Sequence, residues 1–289
     1  MRRREYWILI LPSIFVMFGL LLIPIYRTIE WSLKDVNYGE AGTFVGLDNY
    51  VRALTDPRFG SSVLFTVGLT LSVMVVVIVL GYILAVLVNN LGKMRPLVLG
   101  IILISYVIPN VVGATMFSWL FDGNFGGVAN VVIGWFTDHD VLWFTETWPN
   151  RIMVGLNIVW AMLPFSMLIL LAGLQGVPRE IIEAAKIDGA GTMGRHLHII
   201  LPSIRGMVGF VAIITIMDVL RVFDNLIPLA PNAVLNGNET IALYTYNMAF
   251  QDGGQELGLG SVINVLTILI MLVMLIPFIR NTMKEAKSA

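Results

Sequence analysis

The chain has 289 residues, of which 57% are hydrophobic and only 13% charged, and its mean hydropathy is +0.83. A water-soluble domain carries about 25% charged residues, so this chain is built for lipid. Its net charge of −1 gives no footprint for nucleic acid, and the lack of cysteine excludes disulfides, thiolate metal sites and cysteine nucleophiles.

A hydrocarbon core of about 30 Å needs about 20 mostly apolar residues per helix. Six segments supply them: roughly 7–29, 62–90, 97–121, 151–176, 203–227 and 261–280. Lipid offers no partner to an open backbone, so each must be helical. The expectation is an all-α membrane protein with six transmembrane helices in a single domain, 1–289. The first segment, within MRRREYWILILP and beyond, begins like a signal peptide. Its apolar run continues past Ile23 with no small-residue cleavage site, so it reads as a retained span. The second, from Thr66 to Val88, is apolar throughout. Pro109 and Pro164 are expected to interrupt the third and fourth, and such breaks free backbone groups for a cavity or merely kink a packed helix. The fourth also carries Asn157, the fifth Asp218 and Arg221, and the sixth Asn264.

Lys and Arg set the direction. With the N-terminus inside, the inner side holds twelve of the 18, from Arg2, Arg3 and Arg4 through Lys93, Arg95, Arg179, Lys186, Arg195 and Arg205 to Arg280, Lys284 and Lys287. Both termini are therefore expected in the cytoplasm. Trp31, Trp119, Trp143 and Trp148 then fall near outer boundaries, where interfacial aromatics belong.

Between the fourth and fifth spans lies a polar island, residues 177–202, which this direction places inside. PREIIEAAKIDGAG reads as a short helix. Pro178 suits its first turn, Glu180 and Glu183 its positive end, and Gly189 the turn that follows. Ala184 and Ala185 let a partner surface approach closely. By spacing alone, a solvated connecting helix and a docking helix both remain open.

The island's E-A-A, D-G-A and terminal I-x-L-P at Pro202 resemble the cytoplasmic loop signature of permease subunits of binding-protein-dependent ABC importers. FVGLDNYVRALTDPRF from Phe44, LPFSMLILLAGLQGVPREIIEAAKIDGAG from Leu163, RVFDNLIPL from Arg221 and ETIALYTYNMAF with LGLGSVINVL resemble the carbohydrate-uptake branch of that family, the maltose, multiple-sugar and glycerol-3-phosphate type. The likeness covers nearly the whole chain. It implies a type I importer permease fold in the plasma membrane of a prokaryote. It also implies a partnership with a second homologous permease, two copies of an ATP-binding subunit and an extracytoplasmic solute-binding protein. Glu183, Ala184, Ala185, Asp188, Gly189, Ala190, Leu201 and Pro202 would couple the chain to the ATPases. The first span would pack around the partner permease while the other five build the path. Three positions depart from the pattern: His196 replaces an aromatic residue, Gly206 a frequent second proline, and APNAVLNGN (230–238) a Gly-rich stretch.

The chain has no G-x-x-x-x-G-K-[ST], and its one Gly-Lys pair, Gly92-Lys93, has Leu87 where the upstream glycine should stand. It is therefore expected to be no enzyme and to bind no cofactor, with ATP and Mg held by the partner subunits. His196 and His198 point to different sides of any helix and His139 stands apart, so no metal site is expected. A charge at bilayer depth costs about 2.5–3.5 kcal/mol, so it should face protein or a watery cavity. The three-residue spacing predicts Asp218, Arg221 and Asp224 on one face of the fifth helix, as an ion-pair ladder or as a wall of the path. Tyr106, Asn110, Asn157, Asn225 and Asn264 are further wall candidates. The expected cargo is a sugar, carried by alternating access. Three alternatives remain: a glycerol phosphate-type solute, an ion-coupled carrier working through Asp218 or Asp224, and a membrane enzyme or scaffold.

Overall fold

The computed structural model describes residues 3–137, 139–253 and 255–288, without the side chains of residues 3–6, 8–9 and 281–288. Among the cations expected on the inner side, Arg2 lies outside the described residues, as do the side chains of Arg3, Arg4, Lys284 and Lys287. Four helices are long and apolar enough to cross a membrane by themselves, and two bent pairs bring the spans to six. The chain divides into two compact units: residues 1–61 with 241–270, and residues 62–240 with 271–289.

In the first unit, α1 (Arg3–Ser32) is mostly apolar, and the most apolar stretch of its candidate span holds no buried residue. A two-residue hairpin follows, β1 (Lys34–Asp35) against β2 (Thr43–Phe44), antiparallel with Lys34 opposite Phe44. Then come α2 (Asp48–Thr55) and the start of α3 (Pro57–Asn89). Asp56 caps α3: its Oδ1 accepts from the Arg58 amide at 2.8 Å, and Pro57 occupies the first helical position, where no amide is needed. The other carboxylate oxygen of Asp56 accepts from the Tyr244 hydroxyl at 2.6 Å.

The Arg58 guanidinium pairs with Asp252 at 2.8 Å and lies 5.1 Å from the centre of the Tyr244 ring. Arg52 and Glu256 pair at 2.6 Å, and that bond holds the Arg52 guanidinium further above its ordinary pKa. These contacts tie the chain after α1 to a later segment, α13 (Ile241–Tyr246), a π-helical turn (Asn247–Gln251) and the start of α14 (Leu257–Ser288). The backbone there runs so close that the Gly258 amide donates to the Val36 carbonyl at 3.0 Å.

In the second unit the central element is α7 (Thr147–Gly176). Met153, Val154, Ile158, Met167, Leu170 and Leu171 bury its length, and it packs against α4 (Arg95–Val107) and α11 (Arg205–Val219). The third span breaks as expected at Pro109. Ile108 is extended at ψ 128°, as a residue before proline prefers, and α5 (Asn110–Phe121) leaves α4 at 98°. Pro164 does not act in the same way. α7 runs through it unbroken, because the buried side chains on either side outweigh a proline's cost of about 3 kcal/mol.

Trp143 is buried within the chain, with its indole N–H donating to Asn130 at 2.7 Å and its ring edge-on to Phe121. Trp119 and Trp148 are exposed. Short helices complete the unit: α6 (Val128–Ile133), α8 (Arg179–Ile187), α9 (Thr192–Arg195), α10 (Leu201–Ser203) and α12 (Leu226–Leu229), which packs on α5 and α7.

Candidate functional site

The polar island folds as its residues dictate. Pro178, extended at ψ 133°, precedes α8, so the proline stands just before the helix rather than inside its first turn. At the other end Gly189 takes φ +80°, a left-handed conformation open mainly to glycine. Its amide donates to the Lys186 carbonyl at 3.1 Å, and the Ala190 amide to that of Ala185 at 2.9 Å. This pair of bonds is a Schellman ending.

The Arg195 guanidinium then donates to the Ala190 carbonyl at 2.7 Å, folding α9 back on the turn. Ala185 is buried; Glu183, Ala184, Asp188 and Gly189 are exposed and Ala190 half-buried. After α9, a π-helical turn (His196–Ile200) brings the chain to Leu201 and Pro202 at the start of α10. His196 stacks edge-to-face on Tyr82 of α3, and the Tyr82 hydroxyl lies 2.6 Å from its Nδ1. The imidazole thus fills an aromatic position and adds a hydrogen bond that Phe cannot make.

The second site is a cavity of about 570 Å³ among α4, α5, α7 and the end of α11. Its volume is in the range of small-molecule pockets, about 300–1,000 Å³. Tyr106, Asn110, Asp218, Arg221, Asp224 and Asn225 all line it. Asn157 does not: it lies buried behind Asn225, whose amide donates to its Oδ1 at 2.6 Å. The Asn157 amide nitrogen finds no acceptor among the described residues. Asn264 belongs to the first unit, exposed on α14.

The predicted ladder does not form. α11 ends at Val219, so Asp218, Arg221 and Asp224 do not share a helical face. The chain leaves the helix because Leu220, Leu226 and Leu229 all bury fully beyond it. The carbonyl of Val222, released from the helix, is taken by the Thr240 hydroxyl at 2.9 Å. Arg221 turns back, its Nη2 to Asp218 at 2.8 Å and its Nε to the Met217 carbonyl at 3.0 Å. Asp224 makes no ion pair among the described residues.

Opposite, Tyr106 and Phe165 stack with rings 14° from parallel and centres 5.8 Å apart. Sequence reasoning missed Phe165, because an aromatic residue inside an apolar run gives hydropathy no signal. It also missed a buried network at the N-terminal end of α7. The Asn150 amide donates to the carbonyls of Trp143 and Leu229, and its Oδ1 accepts from Asn238 at 2.8 Å. Arg151 holds Asn238 and Gly237 from above. The unusual loop 230–238 is thus pinned through an asparagine that a glycine stretch would lack.

Comparison with known proteins adds the decisive match. Residues 77–283 fit the sequence profile of the binding-protein-dependent transport system inner membrane component. The chain belongs to this family. It is 29% identical to the trehalose/maltose transport system permease protein MalF of Thermococcus litoralis, over 95% of this chain and 92% of that one. It is likewise 29% identical to the trehalose transport system permease protein SugA of Mycobacterium tuberculosis, over 96% and 88%.

Its fold matches a chain in the crystal structure of a bacterial ABC transporter involved in the import of the acidic polysaccharide alginate. The TM-score there is 0.83 at 18% identity, over 98% of this chain and 96% of that chain. The binding-protein-dependent permease is therefore an all-α, multi-pass inner-membrane protein with the type I importer fold. It is the membrane component of its system and not a catalytic one.

Proposed function

We propose that this chain is the membrane-spanning subunit of an ATP-driven importer that carries a sugar, mono- or oligosaccharide, into the cytoplasm by alternating access. The observation that carries the reading is the cavity at the broken end of α11, walled by Tyr106, Phe165, Asn110 and Asn225 beside a self-neutralised ion pair. Aromatic faces suit the C–H faces of a sugar ring, and amide and carboxylate groups suit its hydroxyls. Relatives named for trehalose and maltose support the same class.

The island 177–202 is the coupling element of a single permease domain, 1–289. Both termini lie in the cytoplasm, as the Lys and Arg distribution favours. Glu183 to Ala190 dock on one of two ATP-binding subunits, with Leu201 and Pro202 leading into the fifth span. When ATP and Mg close those subunits, this helix and its counterpart in a second, homologous permease move together. The spans then swing the cavity outward to receive solute from an extracytoplasmic binding protein.

The test is reconstitution. The full complex in liposomes should take up a radiolabelled sugar from a trehalose, maltose and monosaccharide panel only when ATP and binding protein are both present. Uptake by this chain alone under a pH gradient would instead favour an ion-coupled carrier, with Asp218 or Asp224 as its site.

A further inference from the structure

We infer that the cavity admits only solutes without net negative charge, and that Asp224 is the residue that sets this limit. The inference rests on the cavity being the solute path, and it narrows the solute class from sugars in general to uncharged or amino-bearing ones, against sugar acids and phosphates.

Arg221 is the one cation among the residues lining the cavity. Its guanidinium is held by the Asp218 carboxylate at 2.8 Å and by the Met217 carbonyl at 3.0 Å. An anion seeking it would have to displace a carboxylate already in place. That pair sums to zero, and Asp224 remains as an uncompensated carboxylate on the same wall. It is exposed, and it stands where the chain has left the helix, so no C-terminal neighbour in α11 covers it. Two oxygens acting only as acceptors fit a pair of adjacent hydroxyls or an ammonium group. A second carboxylate or a phosphate brought to the same wall meets like charge, and that repulsion disfavours it.

The chain contains no cysteine, which allows a test independent of the unidentified cargo. Ala161, which lines the cavity from α7, is replaced as Ala161→Cys in the complete purified complex in nanodiscs. It is then labelled with a cationic or an anionic methanethiosulfonate of similar size, with and without a non-hydrolysable ATP analogue, and modification of this chain is read by mass. After division by the rates with a free thiol, the cationic reagent should react about tenfold faster. Adding Asp224→Asn should bring the ratio to within about twofold of the free thiol, while Arg221→Ala should raise it.

A wild-type ratio at or below one, or a ratio that Asp224→Asn leaves unchanged, would overturn the inference. A thiol unreactive to both reagents in both nucleotide conditions would overturn it as well, since these residues would then wall no path. The sugar reading fails separately, if the charge ratio holds while the complex imports no sugar from the panel.

Discussion

Gly189 shows how much one residue can decide. At φ +80° any side chain strains the turn by about 1–2 kcal/mol, and the Schellman bonds to Lys186 and Ala185 depend on that turn. Gly189→Ala is therefore expected to leave insertion intact while lowering the number of solutes imported per ATP several-fold. Parallel uptake and phosphate-release measurements on the reconstituted complex check it, and an unchanged ratio removes the coupling role. Asn150 is the buried counterpart. It is fully buried, and truncating it strands two carbonyls and the Asn238 amide. Each orphaned buried group costs about 1–3 kcal/mol, so Asn150→Ala should visibly lower the thermal midpoint of the purified protein. An unshifted melting curve in detergent would mean that water replaces the network without loss.

Helix ends and crossings form the next scale. The N-terminus of α3 depends on Asp56 twice, once as its cap and once through Tyr244. Tyr244→Phe should cost about 1 kcal/mol by losing one hydrogen bond. Asp56→Ala should cost about 1 kcal/mol more by losing the cap as well. Equal denaturation midpoints for the two variants would show that the cap contributes nothing. Where α14 crosses β1, a Cβ on Gly258 would collide with the backbone carbonyl of Lys34. Backbone cannot swing aside like a side-chain tip, so Gly258→Ala should cost about 1–3 kcal/mol. Reduced yield of folded protein after detergent extraction would register that loss, and full yield would show the crossing to be looser.

For the molecule as a whole, the bare surface of α1 is the informative feature. Phe15, Leu20 and Ile23 stand more than half exposed on a helix whose most apolar stretch holds no buried residue among the described ones. Lipid alone satisfies such a helix, and so does a second permease, which is the partner the proposed assembly supplies. Shortening the chain by this helix is expected to leave the residue 62–240 unit able to fold but to prevent pairing. Co-purification of a tagged partner permease reads the outcome, and undiminished recovery would assign α1 to lipid.

Composition and periodicity determined the class of this protein, since a chain with 13% charged residues and six long apolar runs has no other way to satisfy its backbone. The polar island was legible too, because a helix bounded by Pro178 and Gly189 is specified by local sterics that any context preserves. The cavity was legible only in part. Polar groups within apolar runs pointed to Tyr106, Asn110, Asp218, Arg221 and Asp224, but the spacing of the last three assumed that the fifth helix continued through them. Whether it continued depended on Leu220, Leu226 and Leu229 finding a core and on Thr240 taking up a freed carbonyl. Those contacts join residues distant in sequence, and no local pattern contains them. For the same reason Pro109 broke its helix and Pro164 did not: the chemistry of the two residues is identical, and only the packing around them differs.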